Sequence, residues 1–197
     1  MESHASRSQS VLAQFELSNV GIAVSCSIMR TQVQEALSVL IGQPLWSSGR
    51  AADLEWFQFG PRKTVQDSRG DKREVGEYAL HVQCAWRIRQ KDQIVVASRD
   101  LYSPPEESDD SPDNFNWDVQ GGNRRDKRIA ELFLNETRHF LVRTIEVGAA
   151  GSFTIGLDDD YALDVFPDDS LSGEHWRIFK PYIEEPHFVV TGKEVED

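Results

Sequence analysis

The chain has 197 residues, of which 39% are hydrophobic and 10% aromatic, enough to bury one sizeable core. Its 33 acidic residues outnumber its 21 lysines and arginines and give a formal net charge of −12 at pH 7. Because this charge repels nucleic acid phosphates and anionic membrane surfaces, a basic protein partner, a cation or no partner at all fits better, and of these we expect a protein partner. A single globular domain over residues 1–197 is the simplest organisation.

The N-terminus has no basic start leading into an unbroken apolar stretch, the pattern of secretory signals and membrane spans. The two cysteines, Cys26 and Cys84, lie far apart and lack the paired spacing of metal knuckles or disulfide scaffolds. We therefore expect two reduced, buried thiols and a cytoplasmic protein.

The first predicted element is a helix over residues 31–41. Thr31 and Gln34 have the spacing of a capping box at its start, and Gly42 followed by Pro44 suits its end. Its apolar residues recur at spacings of three and four, which predicts one core-facing stripe. This stripe consists of Val33, Ala36, Leu37, Leu40 and Ile41.

A period of two governs the residues from Tyr78 to Arg89, in which apolar and polar or small side chains alternate. This alternation predicts one long, half-buried strand. Lys91 and Asp92 interrupt the pattern before the run 93–102, so the two runs most simply form an antiparallel hairpin. The earlier run 53–60 is expected to pair beside them, because it has the aromatic content typical of strands.

Two polar segments are predicted to be exposed loops. Residues 61–74 have mixed charge, whereas residues 103–118 carry six acids and no base. The second segment also contains Phe115 and Trp117, which are candidate partner-binding residues because aromatic side chains in a polar loop suit docking on another surface.

A short helix is predicted over residues 124–134, with Asn123 as its cap. Bases crowd its first turns, where free backbone N–H groups and the helix dipole already favour an anion. One hypothesis is an anion-binding site formed by Asn123, Arg124, Arg125 and Arg128. The alternative is internal pairing, in which the acidic segment before the helix folds back on these bases.

The rest of the chain is strand-like, with turn residues between successive apolar runs, which predicts an antiparallel meander. These runs are residues 138–147, 152–157, 161–166, 174–179 and 187–191. The predicted fold is therefore α+β, with a predominantly antiparallel sheet of about seven or eight strands and two short helices. Curling toward a half-barrel would protect the edges of so many short strands.

The alternation also predicts a register for the last strands. In the tightest pairing, Asp164 lies across from Arg177 on the solvent face, with Thr154 as its other neighbour. Surface ion pairs of this kind contribute little to stability. The sharper alternative keeps Asp164, Glu174 and His175 as an acid/base set, in which a carboxylate orients a histidine that activates water.

No motif in the sequence identifies a reaction. The five histidines are dispersed, and the chain has no zinc-ligand spacing, nucleophile elbow, phosphate-cradling loop or dinucleotide fingerprint. We therefore expect neither a metal site nor a cofactor.

Two functions from different classes fit these observations. The first is a small acidic interaction protein, such as an inhibitor or immunity-type partner that covers a basic surface on another protein. The second is an enzyme or small-ligand binder whose pocket lies on the sheet face. The candidate pocket residues are His81, Arg87, His175 and Arg177.

Overall fold

The computed structural model describes residues 28–66, 69–107, 115–134 and 140–196. Helix α1 covers residues 28–38 and helix α2 covers Arg124–Leu132. The strands are β1 Pro44–Ala51, β2 Leu54–Phe59, β3 Lys63–Gln66, β4 Lys72–Val75, β5 Tyr78–Val82, β6 Ala85–Gln90, β7 Gln93–Ala97, β8 Phe140–Val147, β9 Phe153–Leu157, β10 Tyr161–Phe166, β11 Glu174–Phe179, β12 Phe188–Thr191 and β13 Val195–Glu196.

The fold is α+β with a large antiparallel sheet, as the sequence predicts, but this sheet has eleven strands rather than seven or eight. Their order is β13-β12-β11-β5-β2-β1-β8-β9-β10-β6-β7. We call the strands from β13 to β1 the first half-sheet and those from β8 to β7 the second half-sheet. The increase arises because β1 and β13 carry weak apolar patterns and because one predicted strand is divided in two.

Aromatic rings join the two half-sheets through a shared core. The Phe57 ring in the first half-sheet meets the Trp86 ring in the second edge-on, with centroids 5.3 Å apart. Phe153 and Trp176 make the same kind of contact at 4.9 Å. By contrast, β1 and β8 are linked by only two residue pairs. Packing of side chains between the half-sheets, more than this short ladder, therefore holds the halves together.

Helix α1 covers the core with the predicted stripe. Val33, Leu37 and Leu40 are fully buried, whereas Ile41 lies beyond the helix and is 50% exposed. The capping box predicted at Thr31 is wrong, because the helix already includes residues 28–30. Gly42 has a φ of 79°, which glycine adopts without strain, and its N–H donates to the Val142 carbonyl at 2.9 Å.

The long strand predicted from Tyr78 to Arg89 is wrong, because the chain turns a corner at Gln83 and Cys84. Both of their backbone N–H groups donate to the His175 carbonyl, at 2.8 and 3.2 Å. Strand β5 therefore stays in the first half-sheet, whereas β6 enters the second. The alternation that predicted the strand continues through the corner, since Val82, Cys84 and Trp86 are all buried.

The predicted meander is correct from β8 to β10 and from β11 to β12, but the predicted pairing of β10 with β11 is wrong. Strand β11 pairs with β5 and β12, and β10 pairs with β9 and β6. Asp164 consequently lies opposite Arg87, and Arg177 lies opposite His81, so the predicted pairing of Asp164 with Arg177 is wrong. Thr154 is the second neighbour of Asp164, as predicted.

Two copies of one tripeptide explain this error. Residues 86–88 and residues 176–178 both read Trp-Arg-Ile, and either copy offers β10 the same alternation of core and solvent side chains. The first copy occupies the place beside β10, where Trp86 lies opposite Val165. Residues 167–173 then carry the chain into the first half-sheet.

The two polar segments have different structures. Residues 61–74 include β3 and most of β4, which pair with each other outside the main sheet and whose side chains are mostly exposed. Within residues 103–118, the structure describes 103–107 and 115–118. Helix α2 begins at the predicted cap, because the Asn123 side chain accepts the Asp126 N–H at 2.9 Å.

A double-mutant cycle tests the observed strand order. Asp164→Asn should cost about 2 kcal/mol, because the carboxylate is buried and accepts charged hydrogen bonds from partly exposed arginines. Combined with Arg87→Gln, the two losses should be non-additive by about 1 kcal/mol. Combined with Arg177→Gln, they should add within about 0.5 kcal/mol. Urea unfolding measures all variants, and coupling to Arg177 instead of Arg87 would overturn the strand order.

Candidate functional site

A network of buried polar groups surrounds the start of α2. Asn123 is fully buried, and its side-chain amide donates to the Trp117 carbonyl at 3.0 Å. The Gly121 N–H donates to the Asp126 carboxylate at 2.8 Å. These bonds tie the segment before the helix to the first turn of the helix itself.

Arg50 from β1 extends this network across the fold. Its Nε donates to both carboxylate oxygens of Asp126, at 2.8 and 3.0 Å. Its Nη2 donates to the carbonyls of Trp117 and Asp118, at 3.3 and 3.1 Å. One buried guanidinium therefore fixes both α2 and the loop that precedes it.

A second buried contact between an arginine and a carboxyl group lies beside the first. The Nε of Arg125 is 3.3 Å from a carboxylate oxygen of Glu55, and both side chains are only 1% exposed. Arg125 also donates to the carbonyls of Asp53 and Ala52, at 3.1 and 3.3 Å. The Ser48 hydroxyl donates to the other Glu55 oxygen at 2.7 Å.

Burial shifts the titration of both members of this pair. Removal from water raises the pKa of Glu55 to about 8, although Arg125 and the Ser48 hydroxyl act in the opposite direction. Burial also lowers the pKa of Arg125. Each group is thus less favourable in its charged form than it would be in water, and their mutual attraction offsets part of that cost.

Two of the three bases proposed as an anion site, Arg125 and Arg128, face carboxyl groups of the same chain. Arg125 points inward to Glu55, and Arg128 bonds to Glu106. The Nε of Arg124 is buried and has no hydrogen-bond partner within the part of the chain that the structure describes. The Arg128 contact has the form of the internal-pairing alternative, and binding of an external anion at these residues stays a prediction.

Aromatic and apolar side chains lie on the solvent side of this network, in and around the loop that Arg50 and Asn123 bind. The rings of Tyr102 and Trp117 meet edge-on with centroids 5.6 Å apart, and Tyr102 is 51% exposed. Val119 is 54% exposed, and Phe115 is half-buried. We call this region the loop surface. It consists of Tyr102, Glu106, Phe115, Trp117, Asp118 and Val119.

Two of the four candidate pocket residues are neighbours on the outer side of the first half-sheet. Arg177 lies opposite His81 and bonds to Glu174 and, at 3.3 Å, to the His187 ring. The His81 ring contacts Phe179 edge-on at 4.8 Å. Burial, and then the charge of Arg177, lower the pKa of His81 to about 4, so this histidine is neutral at pH 7.

The structure places the other two candidates elsewhere. Arg87 belongs to the second half-sheet and bonds to Asp164 at 2.8 Å. His175 is buried, and its Nε2 is 3.9 Å from Asp169 without a hydrogen bond. The four side chains therefore do not line one pocket.

The corner between β5 and β6 holds a small polar cavity of about 180 Å³. It is lined by Gln83, Cys84, Ser98, Tyr102, Arg125 and Asp168, among others. The Cys84 thiol is free, and burial, together with the charge of Asp168, raises its pKa to about 12. This thiol is therefore protonated at neutral pH and unsuited to nucleophilic chemistry. Cys26 lies outside the described residues.

Neither a metal centre nor a membrane-spanning helix is found in the described chain. Among residues 28–66, 69–107, 115–134 and 140–196, no three His, Cys, Asp or Glu side chains are grouped to hold a metal ion. No helix in those ranges is long and apolar enough to cross a membrane. No protein-family model, curated protein or solved structure matches the chain.

Arg50 and Glu55, which connect the sheet to α2, were not among the functional residues predicted from the sequence. A signal for Glu55 was present, since a charged residue between Leu54 and Trp56 in an apolar strand requires a buried partner. Its partner Arg125 is 70 positions away, so the pairing itself could not be read from local sequence.

The raised pKa of Glu55 predicts a pH-dependent stability. The folded-state pKa of about 8 exceeds the ordinary value of 4.5, so the folded state binds the extra proton between these values. Relative to Glu55→Gln, the wild-type free energy of unfolding should be highest below pH 4.5 and should fall as pH rises through about 8. Urea unfolding from pH 5 to pH 9 measures the difference.

The matched control is Glu131→Gln, which replaces an exposed glutamate on α2. This control should follow the wild-type curve. A wild-type advantage over Glu55→Gln that grows with pH would contradict the buried, proton-binding state of Glu55.

Proposed function

We propose that this protein is a protein-interaction module that contacts a basic partner through the loop surface, in the manner of an inhibitor or immunity-type protein. The supporting observation is the contact between the exposed Tyr102 ring and the half-buried Trp117 ring, in a loop that the buried side chains of Arg50 and Asn123 bind through its backbone carbonyls. Aromatic side chains that are rigid before binding lose little conformational entropy on association, and such residues dominate interface energetics.

The energetics of the network support this proposal. Desolvation by burial acts to lower the pKa of Arg50, but its hydrogen bonds and ion pairs with Asp126 and Asp118 outweigh this effect and raise the pKa, so the network keeps the guanidinium charged. What the charged network adds is a fixed path for residues 117 and 118, since the Arg50 guanidinium binds both carbonyls. A loop whose conformation is fixed in advance loses less conformational entropy when a partner binds, so the fixed path supports a binding role for this loop.

The charge of the chain supports a basic partner. The net charge is −12, and the segment that contributes most of the loop surface carries six acids between residues 103 and 118. Long-range attraction between an acidic protein and a basic surface speeds association and selects partners. A cytoplasmic location belongs to the same proposal, because the chain has few cysteines and Cys84 is a free thiol.

The enzyme or ligand-binder alternative is supported less well. It requires His81, Arg87, His175 and Arg177 at one site, whereas only His81 and Arg177 are neighbours. Arg87 and Arg177 are each bonded to a different carboxylate of the chain. A shared His/Arg pocket therefore lacks the convergence that acid/base chemistry needs.

Affinity capture from the native host tests the interaction proposal. Wild-type protein and the Tyr102→Ala, Trp117→Ala double variant serve as baits, and calorimetry measures the affinity for any captured partner. The double variant should bind at least about 30-fold more weakly, the equivalent of a 2 kcal/mol hot spot, and wild-type affinity should fall at high salt.

The control bait is Tyr182→Ala, which removes an aromatic residue from outside the loop surface. It should bind with wild-type affinity. Partners that bind the double variant as tightly as wild type would place the interface elsewhere, and salt-independent binding would contradict a basic partner.

A further inference from the structure

Asp164 holds two arginines on the outer side of the second half-sheet. One oxygen of its buried carboxylate accepts from the Nε of Arg87 at 2.8 Å and from the Nε of Arg89 at 3.1 Å. The other oxygen accepts from the Thr154 hydroxyl at 2.8 Å. The carboxylate is therefore fully engaged, and it fixes both arginines through a single nitrogen each.

The ends of these arginines are left available. The Nη atoms of Arg87 make no hydrogen bond within the described residues, and Arg89 uses Nη1 for the Lys91 carbonyl at 3.1 Å. The two side chains are 41% and 35% exposed. Guanidinium groups that are oriented in advance and open to solvent suit recognition of a planar or tetrahedral oxyanion.

The surrounding charges leave this cluster positive. Two arginines share one carboxylate, which gives a local charge of +1 for Arg87, Arg89 and Asp164. Lys91 lies 3.9 Å from Asp160, so those two charges largely cancel. Glu146 lines both grooves beside the cluster and lies three strands from Arg87, about 14 Å by strand spacing. Arg30 lines the larger groove together with Glu146, so these two opposite charges leave the +1 of the arginine cluster as the net charge beside that groove.

Two open grooves adjoin the cluster. The larger, of about 450 Å³, is lined by Ile145 and Phe166, and the Arg87 guanidinium lies 5.2 Å from the centre of the Phe166 ring. The smaller, of about 380 Å³, is lined by Arg89 and Lys91. Both reach Thr154, the residue that bonds to Asp164. Volumes of this size accommodate small organic ligands.

We propose that Arg87 and Arg89 form a binding site for the oxyanion group of a small ligand, whose apolar part lies against Phe166 in the larger groove. The ligand class is an aromatic or otherwise apolar carboxylate or phosphate ester. A net local charge of +1 matches one such group. This site does not involve the loop surface and does not depend on the function proposed above.

NMR titration tests the site with four probes: inorganic phosphate, phenyl phosphate, acetate and benzoate. The side-chain Nε–Hε signals of Arg87 and Arg89 should shift, and phenyl phosphate or benzoate should bind more tightly than the probe that lacks the ring. Comparison of the two aromatic probes distinguishes a phosphate ligand from a carboxylate ligand. No shift at either arginine up to saturating probe would overturn the proposal.

Variants separate specific binding from general salt effects. Arg87→Gln with Arg89→Gln should weaken binding about tenfold or more, because charged hydrogen bonds to the anion are lost. Arg143→Gln, which removes an exposed arginine paired with Asp158, should leave binding unchanged. Equal anion responses in wild type and both variants would overturn the proposal.

A conservative pair keeps the test decisive if the glutamine variant fails to fold. Arg87→Lys with Arg89→Lys retains both charges but removes the guanidinium forks. Weaker binding of phenyl phosphate and benzoate in this folded variant supports the proposed geometry. Unchanged affinity of the lysine variant would overturn the proposed geometry. In the wild-type protein, a ring that adds no affinity, so that phosphate equals phenyl phosphate and acetate equals benzoate, would exclude the groove from the site.

Discussion

The fold depends on one carbonyl group at the corner between β5 and β6. The His175 carbonyl accepts the N–H groups of both Gln83 and Cys84, which satisfies two backbone donors where the strand leaves the first half-sheet. Because β6 then joins the other half, Trp86 can face Phe57 across the core. Without this corner, an uninterrupted strand would keep both aromatic residues in one layer, and the half-sheets would lose their central contact.

A recurrent bond between an arginine Nε and a carboxylate organises the polar surfaces. It occurs in Arg50 with Asp126 and in Arg87 with Asp164, each at 2.8 Å. Bonding through Nε leaves the two Nη atoms for other acceptors. In Arg50 the Nη2 donates to the carbonyls of Trp117 and Asp118 and the Nη1 to the Ala52 carbonyl, so the pair has a structural use. In Arg87 neither Nη atom has a hydrogen-bond partner among the residues that the structure describes, and the proposed anion site uses these two atoms.

The two proposed sites draw on opposite features of the chain. The loop surface combines an exposed ring, Tyr102, and two half-buried rings, Phe115 and Trp117, with the acidic character of the whole protein, and such a surface suits a large basic partner. The arginine cluster is a local exception to that charge, and its grooves suit a small anion. Each site rests on a carboxylate, half-buried in Asp126 and buried in Asp164, that orients side chains before any ligand arrives, and this preorganisation lowers the entropy cost of binding.

The sequence by itself determined the elements whose periodicity is strong and local. The buried stripe of α1, the cap at Asn123 and the antiparallel run from β8 to β10 follow from spacing and turn chemistry alone. Only the tertiary structure decided which strand lies beside β10. Residues 86–88 and residues 176–178 have the same sequence, so their pattern favours neither copy, and the path of the chain brings residues 86–88 to β10. The partner of the buried Glu55 was also decided only by the tertiary structure. Glu55 and Arg125 lie far apart in the sequence and come together only when the sheet packs against α2, so the local sequence does not predict their contact.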